Sequence, residues 1–136
     1  MKVDRQQLLV AIANTDGETQ YFVDLHTGQV RRVTLKEPDT VARIKADATK
    51  DPKRFQRVPL RSGREKVAEL HEFAQSITDA RLRAQIEQAI SFPNPHREIR
   101  LLLERRGREM RMWETFLKSS DQRRMMTFLK LTGLSV

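Results

Sequence analysis

Between residues 18 and 34 the chain reads ETQYFVDLHTGQVRRVT, and no other stretch limits the fold as tightly. Tyr21, Phe22, Val23, Val30 and Val33 are aromatic or β-branched, side chains that suit a pleated, half-buried surface, and they flank His26-Thr27-Gly28. The pattern predicts an antiparallel hairpin closed by a three-residue loop. Gly28 would take the positive φ that a type I turn followed by a bulge requires, where a Cβ is strained. In that register Val23 lies opposite Arg31 and Phe22 opposite Arg32, so each face mixes apolar and charged side chains.

The flanking segments supply what covers this hairpin. Residues 4–13 read as an amphipathic helix with Asp4 as N-cap, Gln7 at the capping-box position, and Val3 with Leu8 as a staple. Leu8, Leu9 and Ile12 form its buried stripe, and Asn14-Thr15-Asp16-Gly17 ends it. A short helix is expected over residues 38–48, burying Val41 and Ile44. Residues 50–59, KDPKRFQRVP, read as an edge strand able to extend the hairpin, with Phe55 and Val58 apolar and Pro59 closing it.

From there the signals are helical. Ser62-Gly63-Arg64-Glu65 is a capping box, and Val67, Leu70, Phe73, Ala74 and Ile77 follow the helical period. Thr78 or Asp79 opens the next helix, with Leu82, Ile86, Ala89 and Ile90 inward. Asn94 followed by Pro95 restarts the chain after a break, using Ile99, Leu102 and Leu103, and Gly107 is expected to end that helix. Met110, Trp113, Phe116 and Leu117 mark one further stripe. Met125, Phe128, Leu129 and Leu131 mark a last one, capped at Gly133. The expected fold is a single α+β domain over residues 1–136. It has a small antiparallel sheet of two or three strands, an N-terminal helix, and a helical C-terminal half, with residues 1–60 holding the hairpin and third strand and residues 61–136 the helices.

The order Tyr21-Phe22-Val23-Asp24-Leu25-His26-Thr27-Gly28-Gln29-Val30, then Trp113-Glu114-Thr115-Phe116, then Leu129 to Gly133-Leu134, resembles a bacterial family known as Uncharacterised Protein Family 0158. The likeness runs over nearly the whole chain. It departs at residues 91–104, where the family pattern has a Gly-rich turn into an aromatic and basic run. This chain has Pro93-Asn94-Pro95-His96-Arg97-Glu98-Ile99-Arg100 instead, keeping the basic positions at Arg97 and Arg100. The resemblance implies a fold and carries no activity across.

Composition narrows the function classes. The chain has no cysteine, which removes disulfides and thiolate chemistry and suits a reducing compartment, and no apolar run approaches the roughly 20 residues of a membrane span. The opening residues, with an acidic Asp4, do not resemble a signal peptide, so the expected location is cytoplasmic, with no membrane partner. Twenty-six Lys and Arg against 18 Asp and Glu give a net charge of +8, which makes anionic partners worth seeking.

Catalytic signatures are missing. His71-Glu72 begins a zinc-protease pattern, but Gln75 stands where the second ligand belongs; His26 sits near Asp24 and His96 near Glu98 without completing a constellation. The expectation is therefore a binding or regulatory protein that is not an enzyme, with no cofactor, no metal and no catalytic residue; an enzyme whose site is assembled from distant residues is the remaining alternative. Its positive charge concentrates twice. Residues 50–64 carry Lys50, Lys53, Arg54, Arg57, Arg61 and Arg64 against Asp51 alone, and residues 96–111 carry Arg97, Arg100, Arg105, Arg106, Arg108 and Arg111 against three Glu. Candidate nucleic-acid contacts are Lys53, Arg54, Arg57, Arg61 and Arg64, with Arg97, Arg100 and Arg108 as a second group, all as phosphate neutralisers. A charged, solvated edge strand and a salt-bridge-laced helix produce the same patterns. The competing class is a protein-interaction or homo-oligomeric regulatory module using Met112, Trp113 and Met126. A contiguous Arg and Lys stripe would favour phosphate, and an exposed Trp and Met patch a protein partner.

Overall fold

A computed structural model describes residues 2–136. The order of elements is α1 (Arg5–Ala13), β1 (Thr19–Asp24), β2 (Val30–Thr34), α2 (Pro38–Lys50), β3 (Phe55–Arg57), α3 (Gly63–Gln75), α4 (Ala80–Ala89), α5 (Pro95–Leu103) and α6 (Gly107–Thr132). The fold is α+β, with an N-terminal helix, an antiparallel sheet of order β2-β1-β3 and a helical C-terminal half. By contacts the chain forms two compact units, Met1–Arg61 with Asp121–Val136, and Ser62–Ser120.

Local signals set the helix starts. The Asp4 carboxylate accepts from the Gln7 N–H, Ser62 from Glu65, Asp79 from Arg81 and Leu82, and Asn94 from Arg97, each satisfying an otherwise orphaned first-turn donor. The Gln7 side chain does not fold back into a capping box. It reaches across to accept from the Val30 N–H at 3.2 Å, pinning α1 to β2.

The hairpin differs from its expected register by one residue. Tyr21 pairs with Arg32, Phe22 with Arg31 and Val23 with Val30. The turn begins at Asp24, whose carbonyl accepts from both Thr27 and Gly28, while its carboxylate accepts from the His26 N–H. Leu25 is thereby drawn into the loop, which spans four residues rather than three. Gly28 has φ 78°. The shift places Val23 against Val30 on the face that carries Tyr21 and, exposed on the edge strand, Arg32. Val23, Val58, Tyr21 and Val30 join Val3, Leu8, Ala11 and Ile12 of the N-terminal segment and Met125, Phe128 and Leu129 of α6 in the core of the first unit. The opposite face carries Asp24, Phe22, Arg31 and Val33, with α2 packed against β2.

The third strand is shorter than expected: α2 runs on to Lys50, and residues 51–54 form a turn in which the Arg54 N–H donates to the Asp51 carbonyl at 3.1 Å. In the second unit Leu70, Phe73, Ala74 and Ile77 of α3 and its end pack with Leu82, Ile86, Ala89, Ile90, Ile99, Leu103 and Trp113. Gly107 opens α6 instead of closing α5, its φ is not positive, and the first helical bond runs from the Met110 N–H to the Arg106 carbonyl at 2.8 Å. The two expected final helices are one, since residues 118–124 contain neither Pro nor Gly to interrupt it. Two expected core residues face solvent. Val67, in the opening turn of α3, is 42% exposed, and Leu131 is 82% exposed because the inward stripe passes through Phe128 and Leu129 instead. Gly133, at φ 72°, ends α6 with its N–H donating to the Leu129 carbonyl.

Candidate anion-binding surface

The basic run of residues 50–64 is divided by the fold into cations used internally and cations left in water. Asp24 ends the central strand and is only 3% exposed. A buried carboxylate needs a matched donor set, and β3 brings one: Arg54 Nε donates to Oδ1 at 3.0 Å and Nη2 to Oδ2 at 2.8 Å, a two-pronged pair. That guanidinium, helped by the His26 N–H, holds the Asp24 carboxyl down at about 2, and Asp24 in turn raises the Arg54 pKa.

The pair is part of a longer alternation. Arg31 Nη1 donates to Asp47 at 2.7 Å, which lowers that carboxyl, and Arg54 lies 3.9 Å from the same Asp47. The Arg31 and Arg54 guanidinium groups both lie over the Phe55 ring, at 5.3 and 5.2 Å. Two cations, two anions and one ring therefore close on themselves. Arg61 has a similar fate: it is 5% exposed and donates to Asp121 at 2.6 Å. Arg54 and Arg61, expected among the phosphate contacts, have their head groups against carboxylates instead. The available signal was Asp24 itself, an acid between Val23 and Leu25 on a strand, which is buried at little cost only beside a cation.

The other candidates stand outward. Lys53 lies in the turn before β3, Arg57 on β3 opposite Phe22, and Arg64 in the opening turn of α3; all three are exposed. In the helical unit Arg97 and Arg100 lie three positions apart on the outward side of α5, away from buried Ile99 and Leu103, and Arg108 and Arg111 lie three apart at the start of α6. Among the described residues none of these seven has a carboxylate within ion-pairing distance, whereas the nearby Arg106 pairs with Asp79 at 3.2 Å. Asp79 is held below the usual carboxylate range first by the Leu82 N–H and then by Arg106.

The Trp and Met candidates separate. Trp113 is 3% exposed, its ring 4.9 Å from Phe73 and 5.7 Å from His96, and Met112 packs half-buried on the same core. Met126 alone of the three is open, at 59%. His26 bonds Asp51 at 2.8 Å, lowering that carboxyl, and His71 bonds Glu87 at 2.6 Å. Among the described residues no helix is long and apolar enough to cross a membrane.

The sequence model described as Uncharacterised protein family (UPF0158) matches residues 1–136, the family that the Tyr21 to Val30 and Trp113 to Phe116 motifs resemble. No curated protein and no solved structure matches the chain. The residues that carry the family likeness are engaged in holding the fold: Asp24 pairs with Arg54, Gly28 and Gly133 supply positive φ, and Trp113 and Phe116 pack on Phe73.

Proposed function

The chain belongs to that family, and we propose that it is a non-enzymatic binding protein whose partner is anionic, with nucleic-acid phosphates as the partner chemistry. One observation carries the reading. Lys53, Arg57, Arg64, Arg97, Arg100 and Arg108 are exposed and have no carboxylate partner among the described residues, in a protein that pairs Arg31, Arg54, Arg61 and Arg106 internally. Cations that the fold does not use are available for phosphates, and a net charge of +8 draws polyanions toward them. Their role is charge neutralisation along a backbone. A cytoplasmic location suits such a partner.

Fluorescence anisotropy with mixed-sequence single- and double-stranded DNA and RNA across a salt series tests this. Binding should weaken steeply with salt, and the double change Lys53→Ala with Arg57→Ala should lower the magnitude of the log–log slope by about 1 per cation removed. Arg54 and Arg61 are left intact, because their loss would perturb the fold. A folded protein that binds none of these polymers at low salt ends the proposal.

A further inference from the structure

Positions 108, 111, 112, 115 and 119 recur at spacings of three and four along α6 and share one side of it. Together with Phe116, with Phe73 of α3 and with Ser76 just after it, they line an open groove of about 510 Å³. The floor is apolar: Phe73 is buried, and Met112 and Phe116 are half-buried on the core of the helical unit. Neighbouring rings fix Phe116, Phe73 at 5.4 Å and Trp113 stacked at 6.3 Å. Arg108 and Arg111 stand exposed at one end without carboxylate partners among the described residues, and Thr115 and Ser119 bring hydroxyl groups toward the other.

We propose that this groove seats a nucleoside phosphate, the phosphate on Arg108 and Arg111 and the base against Met112 and Phe116, supplied by a single strand. The inference rests on the anionic-partner reading and adds to it a place and a form of partner. A duplex keeps its bases stacked inside and would give an apolar floor nothing to cover, whereas a single strand offers base faces to aromatic and apolar side chains. A partner helix docks through a ladder of anchors at i, i+3, i+4 and i+7. Here only Met112 and Phe116 offer apolar floor beyond the buried Phe73, too few for such a ladder. The volume lies in the range of small-ligand sites, and the two arginines can hold one phosphate by charge-assisted bonds.

The test measures anisotropy of the full chain with a short unstructured oligo(U) RNA and with an abasic oligomer of the same length. Uridine monophosphate and an acidic amphipathic helical peptide serve as competitors. The proteins are the wild type, Thr115→Glu, Arg108→Ala with Arg111→Ala, and Lys53→Ala with Arg57→Ala. Thr115 is exposed in mid-helix, so its carboxylate variant should keep the circular dichroism and melting of the wild type while placing a like charge in the groove. The base-bearing oligomer should bind about tenfold more tightly than the abasic one, and both groove variants should erase that difference. The Lys53 and Arg57 variant should weaken both oligomers equally. Competition by the mononucleotide as strong as by the oligomer identifies a free nucleotide as the source of the same chemistry; weaker competition identifies the strand. Equal binding of the two oligomers, indifferent to Thr115→Glu, overturns the groove assignment and leaves backbone binding standing. Displacement by the peptide from wild type but not from Thr115→Glu, at lower concentration than the mononucleotide, overturns it in favour of a protein partner. Failure of every oligomer to bind overturns both readings.

Discussion

In the sheet unit Arg54 lies fork to fork with a carboxylate whose side chain is 4% exposed, whereas in the helical unit Arg108 stands in water with no carboxylate in reach among the described residues. Both are arginines in basic stretches of sequence. They differ in what burial has done beside them: Asp24 is held in the sheet by its place on the central strand, and its charge has to be met there, while the outward side of α5 and the start of α6 bury no acid. Arg31, Arg54 and Arg61 of the sheet unit are therefore used for structure, while Arg97, Arg100, Arg108 and Arg111 of the helical unit are left for something else. Substitutions in these two sets of cations should separate into losses of stability and losses of binding.

The largest stability loss is expected at Arg61. Its guanidinium is almost wholly covered and bonded to Asp121 at 2.6 Å, so Arg61→Ala leaves that carboxylate without its donor and a void where the long side chain lay. Removing one partner of such a pair costs about 3 kcal/mol, read as a lower midpoint in urea denaturation. A loss below about 0.5 kcal/mol would put Arg61 with the surface cations and dissolve the contrast.

Asp24 comes next, and here pH gives a second handle. Its folded pKa, about 2, is depressed from an ordinary 3.8, so its contribution is present above the unfolded value and is lost as pH falls through the folded one. The shift corresponds to on the order of 1–2 kcal/mol after allowance for solvent screening. Wild-type stability should decline as pH falls from 4 toward 2. Asp24→Asn should be less stable at pH 7, and its curve should converge on that of the wild type near pH 2. Parallel curves over that interval would show that the pair contributes nothing beyond packing.

The two fates were unequally visible in the sequence. Helix starts at Asp4, Ser62, Asp79 and Asn94 depend on a cap and its next three residues, and the sequence displays them directly. Gly28 likewise marks its turn, although the loop length, and so the register, depends on the Asp24 carbonyl accepting from both Thr27 and Gly28, which composition does not reveal. The pairing of Arg54 with Asp24 spans 30 positions and that of Arg61 with Asp121 spans 60. Such pairs exist only once the third strand is in register and α6 has run unbroken past residue 120. Arg108, Arg111 and Thr115, by contrast, share one stretch of α6 at helical spacing, which the sequence displays directly. Charge runs in sequence thus overcount free cations wherever a strand or long helix later supplies an acid.

The smallest expected effect on stability is the sharpest test of the contrast. Arg100→Ala and Arg108→Ala remove exposed side chains that have no ionic partner, from positions whose inward neighbours Ile99, Leu103 and Trp113 are untouched. Alanine is at least as good a helix former as arginine, so neither backbone propensity nor core packing opposes the change. The midpoint of unfolding should move by less than about 0.5 kcal/mol in either variant. If the anionic partner binds this unit, the same proteins should lose affinity for it, most at low salt, where exposed charges act over the longest distance. Unchanged stability with weakened binding would place the function of these arginines outside the fold. A loss of 2 kcal/mol in either variant would reveal an internal role for them and remove the basis on which the two units are distinguished.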